Sequence, residues 1–455
     1  MKKLTTAILS LLLGASIQAQ NPIVQTCYST DPAPMVHKDR MYVFTGQDEP
    51  AADFFWMYKW RLFSSADMVN WTDHGSAADL ATFEWADDRA WAAQCIEANG
   101  KFYLYVCAHS KLTGAMAIGV AVSKNITGPY KDALGKPLAD GNWDYIDPTV
   151  FIDDDGQAYL YWGNPRIYYV RLNKDMVSFQ GEVQLIEQTE EGFGAPDPKL
   201  RNKDKQYKDS YVEGPWAYRR NGMYYMLYAA GGVPEHIAYS TAPSPTGPWT
   251  YRGNIMPLQD TKSFTNHCGV ATFKGHDYFF YHTGKLPGGG GFNRSVAVEE
   301  FKYNADGTFP IINATDQGVT PIGTLNPFVR TEAETIAFSR GLTTEWNKAC
   351  GVYVADIHNN DYLKVREVDF STTPQRITVS AASALQGGTI EVHADSLQGP
   401  LMAQVQVTGT GGCENWKKFS APVTIQVQGK HNLYFVFKGH KGVKLFNLDW
   451  WRFDK

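Results

Sequence analysis

One pattern recurs five times along this chain: a tight turn, then alternating apolar residues rich in aromatics, then a small residue. It reads HKDRMYVFTG from His37, NGKFYLYVCA from Asn99, DGQAYLYWG from Asp155, NGMYYMLYAA from Asn221 and KGHDYFFYHTG from Lys274. Aligned on Tyr42, Tyr103, Tyr159, Tyr224 and Tyr278, successive copies are 61, 56, 65 and 54 residues apart. Asn-Gly and Asp-Gly pairs favour hairpin turns, and alternation of apolar residues marks strands. A second hairpin follows each copy, beginning at Arg61, Ile118, Ile167, Ile237 and Arg294. Two successive hairpins make a four-stranded sheet, so the repeat predicts an all-β, five-bladed β-propeller. A large meandering sandwich also carries many short strands, but the even repeat length favours blades.

What precedes each first hairpin is equally regular. Asp31 lies eleven residues before Tyr42, Asp147 twelve before Tyr159, Glu213 eleven before Tyr224 and His267 eleven before Tyr278, while blade two carries Ala92 there. Asp-Pro is an ordinary turn sequence, and a lone Asp is more often a turn or capping residue than a catalyst. Turns seldom need a Glu before Gly-Pro, however, and matched offsets in three repeats place Asp31, Asp147 and Glu213 around one channel. Carboxylates gathered among Trp and Tyr cannot all ionise comfortably, because desolvation and repulsion raise at least one pKa. One protonated acid beside one ionised base is what glycosidic cleavage requires. Carboxyls facing each other across a channel leave room for a water, and an acid-to-base gap of about 6.5–9.5 Å implies inversion at the anomeric carbon. His267 is open to several readings: water-mediated cation ligand, substrate hydrogen bond, or satisfied core histidine.

These residues carry a resemblance. Asp31 in DPAP, Asp147 in DPTVF and Glu213 in EGPW resemble the signature acids of glycoside hydrolase family 43, over residues 27 to 320. That resemblance implies an inverting enzyme with Asp31 as general base, Glu213 as general acid and Asp147 as the residue orienting Glu213 and raising its pKa. It implies a channel histidine in His267, associated with a possible second calcium, and a substrate-contacting arginine in Arg294. Stretches such as DGQAYLYWGNP and LPGGGGFNRSVAVEEF are similar to arabinoxylan arabinofuranohydrolases within the family. Blade two departs from the family's WAPD pattern: Trp91, a further candidate for substrate binding, is kept, but Ala93 and Gln94 replace Pro and Asp.

Composition shifts after Gly323, and alternating strands such as RITVSAAS, GTIEVHAD and HNLYFVFKG predict a β-sandwich (jelly roll) over 328–455. This span resembles a family 6 carbohydrate-binding module. The resemblance implies a sugar cleft formed by Tyr362, Trp416 and Asn447, and a structural calcium held by Glu332, Glu334 and Asp449. Glu332 and Glu334 fall on one strand face; two exposed edge charges are the plain alternative. A tethered module of this kind raises local substrate concentration.

Residues 1–19, MKKLTTAILSLLLGASIQA, have the basic start, short apolar run and small-residue end of a signal peptide, predicting a secreted or periplasmic protein with the propeller over 20–323. The apolar run is too short for a membrane anchor. Removing Lys2 and Lys3 from the 42 basic residues leaves 40 against 47 acidic, a net charge of −7, which disfavours nucleic-acid partners. Six cysteines without CxxC or zinc-ligand spacing leave disulfides optional, Cys350 with Cys413 being one candidate. No organic cofactor is implied, and a monomer is expected. The expected function is removal of terminal α-L-arabinofuranose from arabinoxylan or related plant cell-wall hemicellulose. A β-xylosidase or bifunctional enzyme is the alternative within the class, and a non-catalytic, carbohydrate-binding propeller the alternative outside it.

Overall fold

A computed structural model describes residues 20–196 and 209–455. The expected signal segment, 1–19, lies outside the described residues. Nearly everything described is strand, turn or loop; one four-residue helix, Glu190–Phe193, and one 3₁₀ turn, Leu80–Thr82, are the exceptions.

Five sheets form the propeller, each made of consecutive antiparallel strands. Blade one runs Thr30–His37, Arg40–Asp48, Met57–Ser65 and Trp71–Asp79. Blade two centres on Ala93–Ala98, Lys101–Ser110 and Ala115–Ser123, blade three on Thr149–Ile152, Ala158–Trp162, Tyr168–Leu172 and Phe179–Leu185. Blade four comprises Tyr211–Arg220, Met223–Ala230, His236–Ala242 and Thr250–Met256. The repeated aromatics fill the spaces between blades: Trp60, Tyr105, Tyr161, Trp162, Tyr228 and Tyr281 are fully buried. Burial of such side chains supplies most of the driving force that a turn-rich chain needs.

Blade five departs from the expected pattern. It has three strands, Gly269–Phe273, His276–Thr283 and Ser295–Phe301, and the segment expected to return as a fourth leaves it. Asn304–Thr308 closes a turn, and Ile312 N–H then donates to Ile255 O of blade four at 2.8 Å. The outer edge of blade five is covered by the chain's start instead: Ile23 N–H donates to Val296 O at 2.8 Å, and Asn21 bonds Val298 through both Nδ2 and Oδ1. Joining the two ends of the ring in this way covers an otherwise unpaired strand edge.

The C-terminal unit is a sandwich of two sheets. One contains Thr343–Asn347, Gly351–Ala355, Asn447–Asp454, Arg376–Ala382 and Lys417–Pro422; the other contains Phe338–Arg340, Tyr362–Phe370, Gly429–Lys438, Gly388–Ala394 and Leu401–Val407. Alternate residues of Gly388–Ala394 are buried, as a one-sided strand requires. The unit is more than tethered. Thr335–Ile336 pairs with Trp71 and Thr72, adding a fifth strand to blade one. Beside it, buried Arg61 pairs with Asp73, and Thr344 Oγ1 donates to Asp73 Oδ2 at 2.7 Å. Asn70 Nδ2 donates to Arg366 O at 2.9 Å and Asn70 Oδ1 accepts from Arg366 N–H at 2.8 Å.

Candidate active site

Asp31, Asp147, Glu213, His267, Arg294 and Trp91 all line one cavity of about 430 Å³. A larger cavity of about 760 Å³, between the far ends of blades four and five, holds none of the three acids. The acids sit where the innermost strands begin and depart from regular geometry. Asp31 and Asp147 are left-handed, with φ of 50° and 59°, and Gly214, directly after Glu213, has φ of 62°. A side chain at Gly214 would also place its Cβ 3.1 Å from His267 Nδ1. Glycine is therefore required twice over, by conformation and by space.

The carboxyls are held in different states. Burial alone would raise Asp31, but the Arg294 guanidinium, with the adjacent His282 and His267 rings, holds its carboxyl well below the usual range. Arg294 NH1 lies 3.4 Å from Asp31 Oδ1, while Nε and NH2 fork onto Asp48 at 3.0 and 2.8 Å. Arg294, expected to contact substrate, lines the cavity, with its guanidinium largely buried, covered by the Phe55 ring at 4.8 Å and engaged by two aspartates. Asp147 goes the other way: burial, then the charges of Glu213 and Asp31, push its pKa well up, against the pull of the Gly214 N–H, which donates to Oδ2 at 3.0 Å. Burial pushes His267 down to about 4, so its ring is neutral at neutral pH. Its Nδ1 stands 4.0 Å from Asp31 Oδ1.

Several contributors were not singled out in the sequence. Asn164 Nδ2 donates to Glu213 Oε2 at 2.5 Å. Glu235 is buried, accepts the Asn266 N–H at 2.7 Å, and is raised well above the carboxylate range by burial and then by Glu213. His282 lies under Asp31, and Asp48 anchors Arg294. The only signal for His282 was its position four residues after the repeat tyrosine Tyr278; nothing marks Asp48 or Glu235. The blade-two departure is also accounted for. Gln94 accepts Val150 N–H at 3.0 Å and donates to Val150 O at 3.1 Å, splinting blade two to the strand after Asp147. Trp91 keeps its place in the wall, its Nε1 donating to Phe55 O at 2.9 Å. Trp143 adds an exposed ring at the rim.

In the sandwich the expected cleft residues fall on two sheets. Trp416 and Asn447 belong with one sheet, Asn447 Nδ2 donating to Cys413 O at 2.9 Å. Tyr362 lies on the other sheet, against Phe338 and Tyr434 at 6.2 and 6.4 Å. The aromatic beside Trp416 is Tyr353, edge-to-face at 5.2 Å. Cys350 and Cys413 do not pair: all six thiols are free, and the Cys350 thiol donates to Asn347 Oδ1 at 3.2 Å.

Of the expected calcium ligands, Glu332 and Asp449 are bridged by Arg330, at 2.7 and 3.3 Å. Glu334 Oε2 is buried without a hydrogen-bond partner, and burial raises its pKa well up. Among the described residues no three His, Cys, Asp or Glu side chains converge as a metal cage. The orphaned Glu334 oxygen suits a hard cation; the Arg330 bridge must open for the other two carboxylates to join it.

A propeller that gathers three carboxyls in one cavity, with the pKa of one pushed down and that of another pushed up, has the build of a glycosidase. The chain belongs to glycosyl hydrolases family 43, whose family model matches residues 19–309, and the family 6 carbohydrate-binding module matches residues 332–455. It is 31% identical to an arabinoxylan arabinofuranohydrolase of Bacillus subtilis (strain 168), over 99% of this chain and 95% of that one. A protein of the same name from Paenibacillus polymyxa is also 31% identical, over 95% of this chain and 74% of that one. The crystal structure of a Bacillus subtilis family 43 arabinoxylan arabinofuranohydrolase in complex with cellotetraose superimposes with a TM-score of 0.82 at 30% identity, covering 96% of this chain and 99% of that one. A family 43 β-xylosidase/α-arabinofuranosidase from a compost metagenome, in a calcium-free form with xylotriose, gives 0.56 at 30% identity, covering 66% and 98%.

Proposed function

We propose that the cavity removes terminal α-L-arabinofuranosyl groups from arabinoxylan or a related hemicellulose, with inversion. The observation that carries this is the convergence of Asp31, Asp147 and Glu213 on one cavity, with the pKa values of the two aspartates pushed in opposite directions, in a chain similar over nearly its whole length to arabinoxylan arabinofuranohydrolases. Asp31, ionised, takes a proton from water as its oxygen bonds to the anomeric carbon. The bond from that carbon to the leaving oxygen breaks, and Glu213 delivers a proton to that oxygen. Asp147 orients Glu213, and the mutual repulsion of Asp147, Glu213 and Glu235 favours holding a proton in this cluster. Arg294 serves the base rather than the substrate. Trp91 and Trp143 offer stacking faces, and His267 is a neutral hydrogen-bonding group.

The same reading assigns catalysis to 20–323 and polysaccharide binding to 328–455, with Trp416 and Asn447 as sugar-facing residues and buried Tyr353 supporting the Trp416 ring. It includes export directed by residues 1–19, and a calcium ion at Glu334 with Glu332 and Asp449, where it would hold the start and end of the sandwich together. β-Xylosidase activity is the second reading, favoured by the likeness to the xylosidase/arabinofuranosidase structure. Anomeric proton NMR of the products from arabinoxylan tests both. Free β-arabinofuranose as the first product supports the reading; xylose alone, or full activity in Glu213→Gln, overturns it.

A further inference from the structure

The two aspartates share a strained backbone and a shared means of support. Each is left-handed, a conformation that L-residues with a Cβ rarely adopt unless neighbours hold it. In each case the aspartate's own N–H points at a buried side chain on the second strand of the preceding blade. Asp31 N–H donates to His282 Nδ1 at 3.4 Å, with His282 Nε2 against Thr265 O at 3.0 Å. Asp147 N–H donates to Cys107 Sγ at 3.4 Å, and the Cys107 thiol donates onward to Ala92 O at 3.4 Å. Cys107 lies four residues after Tyr103, as His282 lies four after Tyr278, so the repeat delivers both to one structural position. Both are essentially inaccessible to solvent.

We propose that Cys107 is a positioning residue for catalysis: its sulfur receives the strained Asp147 amide and so fixes the aspartate's carboxyl against Glu213. The inference rests on the reading of the cavity given above. Around Asp147 stand Glu213 and the Gly214 N–H from blade four, Asp31 from blade one and Arg294 from blade five. From blade two, Cys107 presents a polar atom to its backbone. Sulfur is a weak acceptor with a large radius, so it meets this amide without drawing it out of the left-handed conformation. The thiol stays protonated, because burial and then the neighbouring Asp147 charge push its pKa well up. It is therefore a hydrogen-bonding group here and not a nucleophile.

The test compares Cys107→Ala, Cys107→Val and Cys107→Ser on two substrates, arabinoxylan and 2,4-dinitrophenyl α-L-arabinofuranoside, whose leaving group departs without protonation. The expected result for Ala and Val is a fall in kcat on arabinoxylan of about 10-fold or more, with KM little changed. The loss on the dinitrophenyl substrate is small, because that reaction bypasses the acid whose placement Asp147 controls. Ser, which can still accept the amide hydrogen, restores most of the rate. Wild-type kcat in Ala and Val overturns the assignment, as does an equal loss on both substrates accompanied by a lowered Tm, or a Ser variant no better than Val. If Ala fails to fold, the Ser and Val pair carries the same comparison. A wild type inactive on both substrates overturns the reading of the cavity and this assignment with it.

Discussion

Arg294 stands between Asp31 and Asp48, giving one edge of its guanidinium to each, so the cation nearest the proposed base is locked in place by a second acid. Arg294→Lys keeps the charge but loses the planar fork that engages both aspartates. kcat/KM on arabinoxylan is expected to fall on the order of 10- to 100-fold, the scale of lost charge-assisted hydrogen bonds. The acid limb of its pH profile is expected to move upward, because Asp31 is less strongly held in its ionised form. A profile superimposable on that of the wild type contradicts this role.

Asn164 acts at the other end of the reaction, through its hydrogen bond to Glu213. Asn164→Ala is expected to lower kcat on the order of 10-fold for arabinoxylan, and less for aryl arabinofuranosides with good leaving groups. Parallel steady-state assays on the two substrates measure the difference.

His74, on the fourth strand of blade one, is half-buried against Ser64 Oγ at 2.7 Å, and desolvation, then the Arg40 charge, lower its pKa from 6.5 to about 4. Between those values the unfolded chain binds a proton that the folded chain refuses, so this residue's contribution to stability falls as pH drops from about 6.5 to 4 and is level outside that window. Urea unfolding of wild type and His74→Gln at pH 7 and pH 4.5 is expected to show the wild type losing more stability, by up to about 3 kcal/mol. Equal losses remove His74 as the cause.

Asp73 joins the two units through Arg61 and Thr344. Asp73→Ala leaves the Arg61 charge buried without its carboxylate, at a cost of about 3–5 kcal/mol. Calorimetry is expected to show a lower Tm and the sandwich unfolding apart from the propeller; one unshifted transition would refute the coupling.

Millimolar calcium is expected to raise the Tm of the wild type through preferential binding to the folded sandwich, and to leave Glu334→Gln unmoved. A wild type indifferent to calcium and to chelator removes the ion from the reading.

The propeller was legible because its signal is local and repeated: alternating aromatics after Asn-Gly or Asp-Gly turns name the strands, and a fixed offset names Asp31, Asp147 and Glu213. Asp48, Asn164 and Glu235 were not, because Asn164 reaches the cavity, and the other two its surroundings, from a loop or strand end whose sequence follows no period. The closure of blade five was missed for a related reason. KYNADGTF has good turn chemistry, but pairing across the ring, between Asn21 and Val298, leaves no trace in either local sequence. That Tyr362 stands on a different sheet from Asn447 was equally hidden, because DYL and FNL both read as strand starts and only the order of strands in the two sheets separates them.

Because Thr335 and Ile336 continue the sheet of blade one, the proposed sugar-binding end of the sandwich keeps a set bearing toward the cavity of the propeller. A polymer held there would present only certain stretches of its backbone for trimming. Side groups at a preferred spacing from the point of capture would be cleared first, leaving a patterned product where a loosely leashed module would leave a random one.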